Sequence, residues 1–292
     1  IYKCGKEARK TFQILNQTQV MAEIPNHQIV DAKENLELIL NDSRKAPVKL
    51  VYAAKKNHGK ISDEAEELEE FRMQLLQDHA ETDEQGNVVQ QKDEDGEPTG
   101  EAKFKSEEEL QSFQERLNEI WSSSVDIDVH SVDVDRVGAY TAPAGWGSTL
   151  DFMLEGFSEE TETLRGSEVQ ASVDSIESIL TEEDQTLPLK FSSALFRTYQ
   201  NLLNVQETIE ERRFELLNEY AAKDDDGNIV VEDGTQNATF ESDEDEEEFQ
   251  ESLSEIYNEE FEVDASLVEI DYLDEVELHP RHTIILDWML TE

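Results

Sequence analysis

The sequence predicts an α+β fold, mainly α, built as two tandem copies of a helical-hairpin unit with short β-strands. Three observations predict it. Leu150-Asp151-Phe152-Met153-Leu154 recurs 136 residues later as Leu286-Asp287-Trp288-Met289-Leu290. Residues 104–137 align without gaps on 240–273 at the same offset. Twelve of those 34 positions are identical and only five of the twelve are acidic, so biased composition does not account for the match. Between turn-rich segments, apolar residues recur three and four positions apart, the period of one helix face. Further matches lie at offset 141, where Gly86-Asn87-Val88-Val89 meets Gly227-Asn228-Ile229-Val230 and Pro47-Val48-Lys49-Leu50 meets Pro188-Leu189-Lys190-Phe191. The first copy therefore carries five extra residues, placed in the loop around Asp93 to Gly100. The expected division is a basic arm over 1–23, copies over 24–154 and 165–291, and a polar linker from Glu155 to Gly166.

Each copy opens with an amphipathic helix, expected over Ile29 to Leu40 with Asn26 as N-cap, and over Val169 to Leu180. A proline turn at Pro47 or Pro188 leads into a helix of about 34 residues, roughly 50 Å at 1.5 Å per residue. Leu195, Tyr199, Leu202, Val205, Ile209, Leu216 and Tyr220 form its apolar stripe in the second copy, and Ile61, Leu68, Phe71 and Leu75 in the first. Gly59 is expected to kink the first copy's helix. The turns Thr82 to Asn87 and Lys223 to Asn228 hold residues that tolerate left-handed backbone. Short ribbons follow near Val88 and Phe104, and near Ile229 and Phe240. Ser106 and Ser242 are expected N-caps, each followed by acids that suit the positive end of a helix. The alternation Val125, Ile127, Val129 against Asp126, Asp128, His130 predicts a half-buried strand, and the Leu-Asp-aromatic-Met-Leu signature a short closing helix.

Composition limits function. The chain has 292 residues, 71 of them Asp or Glu and 24 Lys or Arg, for a net charge of −47. A protein that binds nucleic acid directly needs a basic surface to neutralise phosphates, so that class is not expected. Residues 1–60 are the exception, with 11 basic and six acidic groups. No apolar run approaches the ~20 residues of a membrane-spanning helix. Lys3, Lys6, Arg9 and Lys10 lead into Gln- and Asn-rich sequence, so a secretory signal is not expected. One cysteine, Cys4, excludes an intramolecular disulfide.

Motifs for chemistry fall short of their requirements. A calcium loop centred on Gly227 puts Asp224 and Asp226 at ligand positions but Ala222 at the first and Asp233 at the twelfth. Loops centred on Gly86 and Gly96 place Lys92 and Ala102 at the twelfth. Asp126, Asp128 and His130 share a strand face that could chelate a metal, but the second copy has Glu262, Asp264 and Ser266 there. His279 and His282 are separated by Pro280 and are read as capping or surface residues. Gly145-Trp146-Gly147-Ser148 lacks the endings of a phosphate loop or a nucleophile elbow and is read as a flexible loop with an exposed aromatic. No catalytic, cofactor or metal residue is expected.

The repeat unit resembles small acidic proteins of unknown function encoded by tailed bacteriophages and prophages. The resemblance lies in the helix after Ile24-Pro25-Asn26, the Asp-x-x-Gly-Asn-Val turn, the Phe-x-Ser-acid-acid opening of the next helix, and the closing Met-Leu segment. It covers most of both copies and brings no catalytic residues with it. It implies a non-catalytic viral structural or accessory protein in the virion or host cytoplasm. Such a protein would act through contacts with other virion proteins and be oligomeric within an assembly. The candidate contacts are Lys3, Lys6, Arg9 and Lys10 on the arm and Tyr140 and Trp146 at loop tips. The alternative is an acidic mimic of DNA that blocks a basic host nucleic-acid enzyme or defence complex, with carboxylate runs such as Asp243 to Glu248 standing in for phosphates.

Overall fold

The computed structural model describes residues 19–41, 46–92, 98–137, 140–182, 185–224, 227–232, 237–273 and 276–291. The fold is α+β and mainly α. The chain divides into two compact units, unit 1 being Ile1–Val137 with Thr149–Glu155, and unit 2 Gly138–Ser148 with Gly156–Glu292.

Unit 1 begins with β1 (Gln19–Pro25) and α1 (Asn26–Asn41). Helix α1 buries Ile29, Ala32, Leu36 and Ile39, spaced three and four apart. Pro47 sits at the N-cap of α2 (Val48–His79), whose buried stripe is Leu50, Ala53, Ala54, Asn57, Ile61, Ala65 and Leu68. This helix runs without interruption through Gly59, which sequence reading took for a kink. A ribbon of β2 (Gln90–Lys92) and β3 (Pro98–Ala102) precedes α3 (Glu107–Trp121). The Ser106 hydroxyl caps α3 by accepting from the Glu109 N–H at 3.2 Å, and Glu107, Glu108 and Glu109 fill its first turn. Next come β4 (Ser124–His130) and β5 (Val132–Asp133). Strand β4 buries Ile127 and Val129 and exposes Asp126, as its alternation requires, and pairs antiparallel with β1.

The chain then contributes β6 (Thr141–Pro143) and the start of α4 (Trp146–Leu150) to unit 2, returning to unit 1 for β7 (Leu154–Glu155), which pairs parallel with β5. Unit 2 continues with β8 (Ser158–Arg165), α5 (Gly166–Thr181), β9 (Thr186–Pro188) and α6 (Leu189–Tyr220). It ends with α7 (Asp243–Asn258), β10 (Glu260–Glu269), α8 (Pro280–Ile285) and β11 (Leu290–Thr291). Its sheet has the order β11-β10-β8, with β8 antiparallel and β11 parallel to β10. Ser242 caps α7 as Ser106 caps α3, accepting from the Asp245 N–H at 3.2 Å. The core gathers Val169, Val173, Ile176, Phe191, Leu195, Leu202, Ile209, Ile256, Val263 and Met289 around α5 and α6.

Some pairings recur in both units: β1 pairs antiparallel with β4 and β8 with β10, and β5 pairs parallel with β7 and β10 with β11. Helices α1 and α5 are 16 residues each, and α2 and α6 are 32 each. The ribbon bridges Ala80 to Phe104 in unit 1 and Ala221 to Phe240 in unit 2.

Three further sequence expectations need correction. Residues 155–166 are not a linker, because β8 occupies most of that stretch and gives its backbone groups to β10. Residues 19–23 are not arm, because β1 starts at Gln19 and pairs through to His130. Asn26 is not an N-cap but the first helical residue of α1, and its side-chain amide donates to the Ile120 carbonyl and the Ser123 hydroxyl, both at 2.9 Å.

Candidate functional site

The site is the seat in unit 2 where residues 140–148 lie on the start of α6. Strand β6 pairs antiparallel with β9, Ala142 opposite Leu187. The Leu189 N–H donates to the Tyr140 carbonyl, and the Ala144 N–H to the Gln185 carbonyl, both at 2.9 Å. Ser193 Oγ donates to the Gly147 carbonyl at 3.3 Å. Gly147 passes so close to α6 that a Cβ there would stand 2.7 Å from the Ser193 nitrogen and closer still to the Ser192 carbonyl group. Only glycine fits that approach. As a result the seven consecutive residues Leu187 to Ser193 are all buried, including the polar Lys190, Ser192 and Ser193.

Tyr140 and Trp146, expected as exposed loop-tip contacts, are 6% and 7% exposed. The β6–β9 pairing lays their segment onto unit 2 and removes both rings from solvent, so neither is a surface anchor. Lys3, Lys6, Arg9 and Lys10 lie outside the described residues.

The matching stretches elsewhere are less covered, although Val276 and Leu278 rest partly against unit 2's core. Ala46 to Tyr52, which aligns with Leu187 to Ser193, buries only Leu50, and Val48 is 84% exposed. Val276 to Ile284, which aligns with Tyr140 to Ser148, has no buried residue, and Ile284 is 76% exposed.

The polar clusters singled out by sequence are held by local partners. The Asp128 carboxylate meets Lys60 Nζ at 3.3 Å. The His130 N–H donates to Asn57 Oδ1 at 2.8 Å, and Asn57 Nδ2 donates back to the His130 carbonyl at 3.0 Å. His130 Nδ1 is buried with no hydrogen-bond partner. Burial, then the nearby Lys60 and Lys56 ammonium groups, push the imidazole pKa down. In unit 2 the Ser266 N–H donates to Thr198 Oγ1 at 3.0 Å, at the aligned position. Sequence reading missed both pairs, because a polar residue on an apolar helix stripe does not announce its partner.

His279 Nδ1 accepts from the Arg281 N–H and caps α8. His282 Nδ1 lies 2.6 Å from Ser175 Oγ, and burial, followed by His279 and Arg281, lowers its pKa. In the Asp-Gly-Asn turns, Asp83 Oδ1 accepts from the Gln85 and Asn87 N–H groups, each at 2.9 Å, and Asp224 Oδ1 from the Asn228 N–H at 2.8 Å. The Asn87 side-chain amide, which donates to Asp83 Oδ2 at 3.0 Å, and then the Asn87 backbone N–H hold the Asp83 carboxyl below its usual range. Gly86 and Gly227 supply the positive φ that each turn needs. The turn carboxylates Asp83 and Asp224 thus serve their own turns, as acidic residues in tight turns. Among the described residues no group of three metal-ligating side chains converges.

Each unit also has an open groove beside its ribbon. The one in unit 1, about 650 Å³, is lined by Met73, Leu76, Val88, Phe104, Phe113 and Leu117. The one in unit 2, about 710 Å³, is lined by Leu217, Ile229, Phe240, Phe249 and Leu253. Arg72 and Arg213 border them, each paired at 2.7 Å with a glutamate one turn away, Glu69 or Glu210.

Among the described residues no helix is long and apolar enough to cross a membrane. Comparison with protein-family models, with curated proteins and with solved structures found no match to this chain.

Proposed function

We propose that the chain is one module written twice, and that it is a non-catalytic structural or accessory protein of a tailed-phage particle. It works by being held against neighbouring proteins. The observation that carries this reading is the seat of residues 140–148. A short segment lies edge-on to β9, closes over Leu187 to Ser193, and uses Gly147 to approach a helix backbone. Backbone pairing at the edge and a buried, closely fitted centre are features that contacts between proteins also use.

The shifted titratable groups support the same reading, because structural neighbours account for their shifts. Arg72 holds Glu69, the Asn87 turn holds Asp83, and burial sets the imidazoles of His130 and His282. The phage setting comes from the sequence resemblance.

Mass spectrometry of purified particles tests the proposal. The expected result is this chain at a copy number comparable with known virion proteins. Its absence from the particles overturns the reading. Salt-sensitive capture of a basic DNA-binding host protein by the tagged chain would replace it with the DNA-mimic alternative.

A further inference from the structure

The contact formed inside unit 2 has two unfilled halves elsewhere on the chain. Residues Ala46 to Tyr52 align with the covered stretch Leu187 to Ser193, yet expose Val48 and Tyr52. Residues Val276 to Ile284 align with the covering stretch Tyr140 to Ser148, yet expose Pro280, Thr283 and Ile284. We propose that the chain associates head to tail with a second copy of itself, Val276 to Ile284 of one molecule lying on Ala46 to Tyr52 of the next. The inference rests on reading the chain as one module written twice.

Charge is compatible with this occupant, which the relation to the seat of unit 2 selects. Residues 44–60 carry six Lys or Arg and no Asp or Glu, in a protein of net charge −47. Residues 269–287 carry six Asp or Glu and one Arg. The open seat lies in the basic part of an acidic chain, and the open segment, in which Glu277 balances Arg281, is flanked by Glu269, Asp271, Asp274, Glu275 and Asp287. The remaining negative charge opposes association in general. Screening over about 8 Å at physiological salt weakens that distant repulsion far more than contact pairs.

The seat of unit 2 is not copied in detail. Thr283 stands where Gly147 does and Val51 where Ser192 does, so the close backbone approach is closed to the open pair. Its contact is made by side chains instead, with the exposed Val48 and Tyr52 meeting the exposed Pro280 and Ile284. Such an interface joins two different surfaces, so it propagates into a filament unless the rotation between copies closes a ring.

Sedimentation velocity of the full chain over a concentration series, at about 0.15 M salt, tests the proposal. The expected result is concentration-dependent growth in whole-chain steps. Val48→Asp and Ile284→Asp should each give monomer alone, because every molecule then lacks one of the two surfaces. An equimolar mixture of the two variants should give a one-to-one dimer and nothing larger, because each supplies the surface the other has kept. Circular dichroism checks folding, and Lys55→Glu with Lys56→Glu serves as a second acceptor variant if Val48→Asp fails to fold. A wild-type chain that stays monomeric, growth that persists in both single variants, or a mixture that stays monomeric overturns the proposal. A monomeric chain found at structural copy number in particles overturns this inference alone. A chain that assembles as described but is absent from particles overturns only the phage reading.

Discussion

At the start of α1 in unit 1 stands Asn26, and at the same place in unit 2 stands Gly166. Both backbone N–H groups donate to the residue that follows the next long turn of chain, Asn26 to the Ser123 carbonyl at 2.9 Å and Gly166 to the Glu259 carbonyl at 3.1 Å. In unit 1 the Asn26 side chain fills the junction and donates to the Ile120 carbonyl at 2.9 Å. In unit 2 the glycine lets the helix approach so closely that a Cβ would stand 2.9 Å from the Ile256 carbonyl oxygen. One backbone arrangement thus has two solutions, a hydrogen-bonded spacer and direct contact. The starts of the long helices differ in the same way, since unit 2 covers Leu187 to Ser193 while unit 1 leaves Val48 in solvent. The lesson is that backbone pairing sets the frame, and side-chain size then decides whether a surface closes or stays open.

The largest test of that comparison is Gly147→Val. Its branched Cβ meets helix backbone rather than a flexible side chain, so the cost should be about 3 kcal/mol, at the upper end of overpacking effects. Urea unfolding followed in unit 2 would show it. Thr283→Gly, at the aligned open position, should change stability by about 1 kcal/mol or less, the ordinary glycine penalty in a helix. Equal effects at the two sites would remove the distinction between a covered and an open seat.

Next in size are Asn57→Ala and Thr198→Val. Asn57 serves both backbone groups of His130, so its loss should cost about 2 kcal/mol, while Thr198 serves the Ser266 N–H alone and should cost about 1 kcal/mol. Thermal denaturation of the two variants would rank them. A larger loss for Thr198→Val would break the correspondence between these two brackets.

The smallest expected effect is on pH. Folding lowers the pKa of His130 and His282, so the unfolded chain binds protons at higher pH than the folded one. The stability these groups contribute is complete above the ordinary imidazole value of about 6.5 and is lost as pH falls from there toward the folded values. The midpoint of thermal unfolding should therefore drop between about pH 7.5 and 5.5. His130→Gln together with His282→Gln should flatten that drop, and an unchanged slope would show that other groups carry it.

Much of the fold was legible because helix-period stripes and capping serines act locally. The stripe Leu195, Leu202, Ile209 and the caps Ser106 and Ser242 are where the sequence puts them. Residues 158–165 were misread because Ser158 to Arg165 is rich in Glu and Thr, and its strand character comes from pairing with β10, a partner about a hundred residues away. The seat was only half legible. Gly138 to Gly147 is rich in glycine, alanine and proline where the stretch aligned with it has Glu275, Glu277, His279 and Arg281, and that contrast was the available sign. Small residues read as a loop from sequence alone, because nothing local distinguishes freedom from close approach.

The seat also bears on the order in which the chain can fold. Tyr140 to Ser148 leaves the ribosome before Leu187 to Ser193 has been joined to it. Until those later residues emerge, β6 has no β9 to pair with, and Tyr140 and Trp146 have no cover. Vectorial synthesis therefore finishes the first unit's helices before residues 140–148 can dock, so a nascent chain halted short of Leu187 would display two bare aromatic rings to the first chaperone it meets.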